Sequence, residues 1–334
     1  LKTADQTEPS VSIVIVTLGG LAELGLPMPG ILAQTIADQI ELIIVARAGT
    51  VSEADLLSLS GLQSVRLVEK PVITNRGLEA AAGIAVATAD FIGLHENHTR
   101  AEPETYERLL AAFRADDAAL VPVMYPANCE MPWGQAMYAV AHHHASPPNT
   151  AEPVSQLVLH HGLYRTELVR PFGKRMKNEP RVQTELIDAG YHLRYVPQTV
   201  VWHLNEARPR SVAKVVFALG RLYGFGRQCE ISVFHRIARL LASHAIIGLH
   251  VLRCARIAKR QAFTRRRFVR CLPNVIFAGS VFGIGEVIGY FDTKSAWLDD
   301  HELTEFDVLG RLAGREPAMR WLREVVHSLP ADMP

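Results

Sequence analysis

The chain has 334 residues, 49% hydrophobic and 21% charged, which argues against disorder and allows one large domain with an appendage, or two domains. Its formal net charge of +1 hides an uneven spread: between Ala207 and Arg270 there are fifteen Lys and Arg against one acid, Glu230. The four cysteines (Cys129, Cys229, Cys254, Cys271) lack CxxC spacing, which argues against a disulfide framework or zinc cluster and fits a reducing, cytosolic compartment.

Residues 1–9 form a polar tail with neither the apolar core nor the basic leader of a signal peptide. Val11–Thr17 (VSIVIVT) is a β-branched run ending in Leu18-Gly19-Gly20, the pattern of a central parallel strand and its loop. Pro27 and Pro29 are expected to break the front of the next helical segment. Glu41–Val45 and Val65–Val68 are predicted strands, and Thr50–Glu53 opens a short helix. Leu78–Ala87 (LEAAAGIAVA) predicts an alanine-rich helix packed closely on a sheet. Strands and helices alternating at this spacing make βαβ units, hence a mostly parallel, doubly wound α/β sheet. The loop after the first strand, TLGGLAELG, does not give GxGxxG, and no GxxxxGK[ST] is present, so a nicotinamide or P-loop enzyme is not expected.

Asp90–Thr99 (DFIGLHENHT) stands out. An apolar run, Phe91–Leu94, stops at His95, Glu96, Asn97 and His98, all able to hydrogen-bond and most able to titrate or bind metal. In open α/β sheets, ligands bind outside the carboxyl ends of strands. A strand running into Glu-x-His therefore marks a candidate site, with a solvated loop as the plain alternative. A helix at Pro103–Arg114 and a strand at Ala119–Met124 follow. Pro126–Pro153, with His142–His144 and Pro147-Pro148, is expected to be a long solvated or substrate-facing loop. Regular structure is expected again at Leu157–Tyr164 and in a helix at Val182–Ala189 stopped by Gly190. Two short strands, Tyr191–Val196 and Thr199–His203, are expected on either side of Pro197-Gln198.

The motifs PSVSIVIVT, ATADFIGLHENHTRAEP and AGYHLRYVPQTVVWHLN, in this order over about Pro9–Gln228, resemble the inverting glycosyltransferases of family 2, which have the GT-A nucleotide-sugar fold. Glu96-Asn97-His98 stands where that family carries its acidic metal motif, closest to a branch with Glu-Asp-His. The resemblance implies Glu96, His98 and His203 as ligands of a divalent metal, Mn2+ or Mg2+. It further implies Glu179 as catalytic base, and Thr17, Arg47 and Asn97 beside a nucleotide-sugar donor. His160, His161 and Arg165 match a tract that contacts acceptor or phosphate. The acceptor would be a glycan or a polyprenyl-linked glycan, and the product polysaccharide or glycoconjugate, made with inversion. Two departures matter. Arg47-Ala48-Gly49-Thr50 lacks the carboxylate that the family uses to hold the nucleotide, and Asn97 and His98 replace acids. A catalytically silent relative serving as a scaffold subunit is the alternative function. Each residue also has a plainer reading: Glu179 as a helix N-terminal carboxylate, His203 as a core histidine, Arg47 as an exposed loop residue.

On this reading residues 10–228 form the GT-A-like domain. Residues 229–291 form a basic amphipathic helix and a glycine-rich apolar helix (Leu272–Phe291), and 292–334 a tail with a short helix near Pro317–Val326. The 231–291 stretch is expected to attach peripherally to the anionic inner face of the membrane. Packing on the catalytic domain or in an oligomer is the structural alternative. Nucleic acid is the rival partner for a basic block, but no stacking aromatic motif accompanies it, so none is expected.

Overall fold

Aliphatic runs without polar alternation form strands covered on both faces, and the first two runs of this chain do so. A computed structural model describes residues 8–126, 131–141, 152–154, 162–226, 232–260 and 265–292. Its strands are β1 Val11–Thr17, β2 Ile40–Arg47, β3 Ser64–Lys70, β4 Phe91–His95, β5 Thr99–Ala101, β6 Asp117–Pro126, β7 Leu163–Arg165 and β8 His192–His203. The helices begin with α1 Pro27–Leu32, α2 Glu53–Leu57, α3 Arg76–Val86, α4 Thr105–Ala112, α5 Pro132–Ala141 and α6 Thr166–Val169. They continue with α7 Glu179–Asp188, α8 Pro209–Gly226, α9 Val233–Leu241, α10 Ser243–Arg260 and α11 Arg265–Gly289. The described residues divide into two compact units: residues 8–125, 152–154 and 162–203, and residues 126, 131–141, 204–226, 232–260 and 265–292.

The first unit is built on an eight-stranded mixed sheet of order β3-β2-β1-β4-β7-β6-β8-β5. β1 to β4 run parallel, whereas β7 runs antiparallel to β4 and β6, and β5 antiparallel to β8. Ile13, Ile15, Leu42 and Ile44 belong to one apolar cluster with Leu24, Met28, Ile31 and Leu109. Val14 and Val45, on the opposite face, meet α3, where a Cβ on Gly83 would lie 2.5 Å from Val14 Cγ1. Only a small-residue helix can approach that closely, which explains the alanines of this segment. Helices therefore cover both faces of the parallel half.

The buried charges of Glu41, Asp117 and Arg194 in this sheet are paired, as burial requires. Glu41 in β2 accepts from Ser12 Oγ (2.5 Å) and Thr88 N (2.8 Å) and pairs with Arg66 (3.0 Å). Asp117 and Arg194, both buried, join β6 to β8, with Nε donating to Oδ1 at 2.7 Å and a second bond from Nη2 to Oδ2.

In the second unit, α8 and α11 touch backbone to backbone. A Cβ at Gly220 or Gly224 would fall 2.1 Å from the carbonyls of Phe282 and Glu286, and one at Gly285 or Gly289 the same distance from those of Phe217 and Arg221. Each helix thus presents a small-xxx-small pair, the pattern that lets helix backbones meet. Asp292 accepts from Arg221 Nε at 2.5 Å and Nη2 at 2.8 Å, closing the end of this pair.

Several local expectations change. α1 starts on its prolines rather than after them, because the first turn of a helix needs no donated N–H. Pro126–Pro153 contains α5, in which Gly134–Val140 are all buried; a helix apolar all round belongs to an interior, not to a loop. The two C-terminal strands are one strand, β8, running through Pro197. Its pairing with β5 involves only Val201–His203, so the missing proline N–H breaks no bond of that ladder. α11 starts at Arg265 and carries Pro273 inside it. The expected helix near Pro317–Val326 lies outside the described residues, as do His142–His144.

Candidate functional site

β4 ends at His95, and after Glu96, Asn97 and His98 the chain enters β5, which pairs antiparallel with β8 in the register Thr99↔His203. That register sets His203 beside His98, although 105 residues separate them. His98 Nε2 lies 3.2 Å from His203 Nε2 and 3.2 Å from Glu96 Oε2, and His203 Nε2 lies 3.4 Å from the same carboxylate oxygen. All three side chains are buried.

Two imidazole nitrogens and a carboxylate oxygen converging in a buried place need a shared cation, a proton or a metal ion. An ion with four ligands at about 2.0–2.1 Å has ligand edges of about 3.3 Å, which is the size of this triangle. Imidazole with one carboxylate suits first-row transition ions better than hard Mg2+, which prefers oxygen alone. Three protein ligands also leave room for a substrate oxygen, the habit of catalytic rather than structural ions.

Neighbours set the orientation. Asn97 Oδ1 lies 2.8 Å from His98 Nδ1. Asn97 Oδ1 thereby accepts a hydrogen bond from Nδ1–H, which keeps the proton on Nδ1 and leaves the Nε2 lone pair facing Glu96 and His203, the orienting role that outer partners play around metal-binding histidines. His95 points elsewhere. It is buried against Tyr106 Oη (2.9 Å, Nδ1) and Thr99 Oγ1 (3.2 Å, Nε2), and burial pulls its pKa down to about 4, so it is a neutral anchor for the strand end.

Glu179 is the first residue of α7 and is buried. Arg76, the first residue of α3, reaches it with Nη2 at 3.0 Å and reaches Glu96 Oε1 with Nη1 at 3.5 Å. One guanidinium therefore links the histidine-carboxylate group to the carboxylate expected to act as base. The local sequence explains the reach. Asn75 caps α3 by accepting from Leu78 N (3.1 Å), and a side chain at Gly77 would strike Met176 O at 2.4 Å. Glycine there lets the front of α3 press against the Arg170–Asn178 turns that lead into Glu179. The Tyr164 phenol is buried nearby, its pKa pushed up first by burial and then by the Glu179 charge.

The remaining candidates lie elsewhere or face other partners. Thr17 is buried at the carboxyl end of β1, its hydroxyl between Gly20 O and Glu23 Oε2 at 3.0 Å each. Glu23 also accepts from Leu18 N (3.0 Å), so Thr17 and Glu23 pin the loop after the strand. Arg47 ends β2 with an exposed side chain, and its carbonyl closes the turn by accepting from Thr50. Arg165 pairs in register with Phe91, the first residue of β4, hence at the strand end away from Glu96. Its guanidinium donates to the carbonyls of Asp117 (2.9 Å) and Arg114 (2.8 Å) and stacks over Phe91 and Phe113. His160 and His161 lie outside the described residues. The sequence reading missed Arg76. Its only signals were the Asn-x-Gly that caps the helix and allows close approach, and neither names a partner.

No protein-family model matches the chain, and no curated protein sequence matches it significantly. Solved structures do resemble it. A mannosyltransferase from Pyrobaculum calidifontis, solved with GDP-Man and Mn2+, is 13% identical at a TM-score of 0.44, over 96% of this chain and 85% of that one. TarS from S. aureus, solved with UDP, is 12% identical at 0.45, over 84% of this chain and 90% of that one. GalNAc-T7, solved with UDP, GalNAc and Mn2+, is 14% identical at 0.46, over 61% of this chain and 45% of that one. The chemistry of the site rests on the distances above, not on these likenesses.

Proposed function

We propose that this chain is a GT-A-type glycosyltransferase that moves a sugar from a nucleotide-diphosphate donor to a hydroxyl of a glycan or lipid-linked glycan, with inversion. The observation that carries it is the convergence of Glu96, His98 and His203 at the carboxyl end of β4, joined through Arg76 to Glu179. Glu96, His98 and His203 would hold the divalent ion, which supplies positive charge to the departing diphosphate. Glu179 accepts the proton of the acceptor hydroxyl as its oxygen bonds to the anomeric carbon and the carbon–diphosphate bond breaks. A single displacement from the side opposite the leaving group inverts that carbon. A positioned carboxylate base contributes roughly 10²–10⁴ in rate. Asn97 orients His98, and the buried surroundings keep competing water out.

A second reading has one observation of its own. Arg76 already neutralises Glu96 and Glu179, an arrangement that suits a silent relative keeping the fold as a scaffold subunit. One experiment separates the two. The purified chain is screened with UDP-, GDP- and TDP-sugars in Mn2+, Mg2+ or EDTA, with thermal shift and nucleotide release as readouts. Metal-dependent nucleotide release supports the enzyme. Nucleotide binding without turnover on any acceptor supports the silent relative, and no binding under any ion removes the transferase reading.

A further inference from the structure

The second unit wears its apolar surface outward. In α9 the side chains of Val233, Phe234, Ile237, Leu240 and Leu241 are exposed, Phe234 by 76% and Leu241 by 77%. Surface helices ordinarily bury such a stripe and leave their charges in water. Here the polarity is reversed. The arginines of α9 turn inward onto the end of α11, Arg239 Nη1 donating to Tyr290 Oη (2.6 Å) and Arg236 Nη1 to Tyr290 O (3.4 Å). α11 carries a second exposed stripe, Ile276, Phe277, Ile284 and Ile288, at helical spacing. Among the described residues the first unit exposes only Leu32, Leu57 and Val72 as large hydrophobics.

Charge accompanies this surface. Arg265, Arg266, Arg267 and Arg270, at the start of α11, are all exposed, and they lie in the block with fifteen bases and one acid. We propose that the outward faces of α9 and α11 dock on the surface of an anionic lipid bilayer, with the α9 stripe among the headgroups and the arginines on lipid phosphates. A second copy of this chain would bring cation against cation, and a nucleic acid offers nothing to cover a row of aliphatic side chains. An anionic bilayer offers both the charge and the apolar layer.

The helices lie on the membrane rather than across it. α11, with 25 residues, is long and apolar enough to cross by length and composition. Its glycine face, however, is fastened to the α8 backbone. A crossing would carry Lys214 and Arg221 of α8 with it, Arg221 paired with Asp292 just past α11, and also Glu286, which is buried and bonded to the Tyr290 hydroxyl. This inference does not depend on the transfer reaction.

Flotation of the full chain with vesicles of phosphatidylcholine, alone or mixed with phosphatidylglycerol, tests the proposal. The chain is expected to float with the mixed vesicles only, and less so in high salt. Phe234→Asp with Leu241→Asp, at exposed positions, is expected to weaken binding at least about tenfold while leaving the thermal transition in place. Arg265, Arg266 and Arg267 changed together to Gln should remove the salt-sensitive part, and Phe234→Leu should bind as the parent does. Three outcomes would overturn the proposal. They are a chain that stays at the bottom of both gradients, a dimer that Phe234→Asp turns into a monomer, and membrane-bound chain that alkaline carbonate fails to release.

Discussion

Arg76 Nη2 lies 3.0 Å from Glu179 Oε2 while its Nη1 reaches Glu96 at 3.5 Å, so a single cation is shared by two buried carboxylates on different elements. Removing one partner of a buried charge group costs about 3–5 kcal/mol, because the others stay behind uncompensated. Arg76→Met is therefore expected to lower the urea midpoint strongly. Mn2+, and separately Glu179→Gln in the same chain, should each restore part of the loss. An unchanged midpoint in Arg76→Met would show that the bridge carries no stability.

Glu179 is the residue on which turnover should depend without folding depending on it in the same measure. Glu179→Gln keeps the shape and removes the base. The expected result is kcat lower by roughly 10²–10⁴ with nearly unchanged metal affinity. Steady-state kinetics beside a Mn2+ titration checks it. A parallel loss of Mn2+ binding would move Glu179 from base to ligand.

Metal binding should follow the triangle. Saturating Mn2+ is expected to raise the melting temperature of the parent chain, since an ion that binds only the folded state stabilises it, by about 2.7 kcal/mol at a hundredfold excess over Kd. EDTA should reverse the rise. His98→Ala and His203→Ala should abolish it, and Asn97→Ala, which frees the ring that it orients, should weaken Mn2+ binding about 10–100-fold. Calorimetric titration separates these cases, and His203→Ala binding like the parent would break the trio.

His95 makes stability depend on pH. Its pKa is lowered by burial from 6.5 to about 4. The folded chain thus keeps the ring neutral where the unfolded chain protonates it. The stabilisation is whole above the unfolded value and fades as pH falls towards about 4. At about 1.4 kcal/mol per unit, the full window is worth about 3 kcal/mol. Urea unfolding in EDTA at a series of pH values is expected to show this slope in the parent and a smaller one in His95→Asn.

The α8–α11 clasp should tolerate no added side chain. Gly220→Val places atoms where the Phe282 carbonyl stands 2.1 Å from a Cβ, and forcing extra volume into such a contact costs typically about 1–3 kcal/mol. Gly248→Ala is the control. It lies exposed within α10 with no neighbour inside 4 Å and should stabilise by up to about 1 kcal/mol. Equal effects of the two on thermal unfolding would remove the clasp.

Much of the fold could be read directly from residue patterns. VSIVIVT, ELIIV and FIGLH are strands because aliphatic runs have nowhere else to hide, and LEAAAGIAVA is the close-packed helix that its small residues imply. α5 could not be read that way. Its ten residues, with Gly134–Val140 buried, sit between prolines and a histidine run that look like a loop, and only the neighbours that cover a helix show that it is interior. Nor could pattern tell that β8 passes through Pro197, because whether a proline breaks a strand depends on which side of it is paired.

By itself, the sequence determined the polar end of β4. An apolar run that stops at His-Glu-Asn-His marks a site edge wherever the strand lies, because burial favours the run while water or a ligand must satisfy the four polar side chains at its end. Tertiary structure decided what that edge became. The register Thr99↔His203 brought a second imidazole to within 3.2 Å of the first. The absence of a side chain at Gly77 let Arg76 reach two carboxylates. Both depend on pairing and close approach between residues distant in the chain, and local composition carries no record of either.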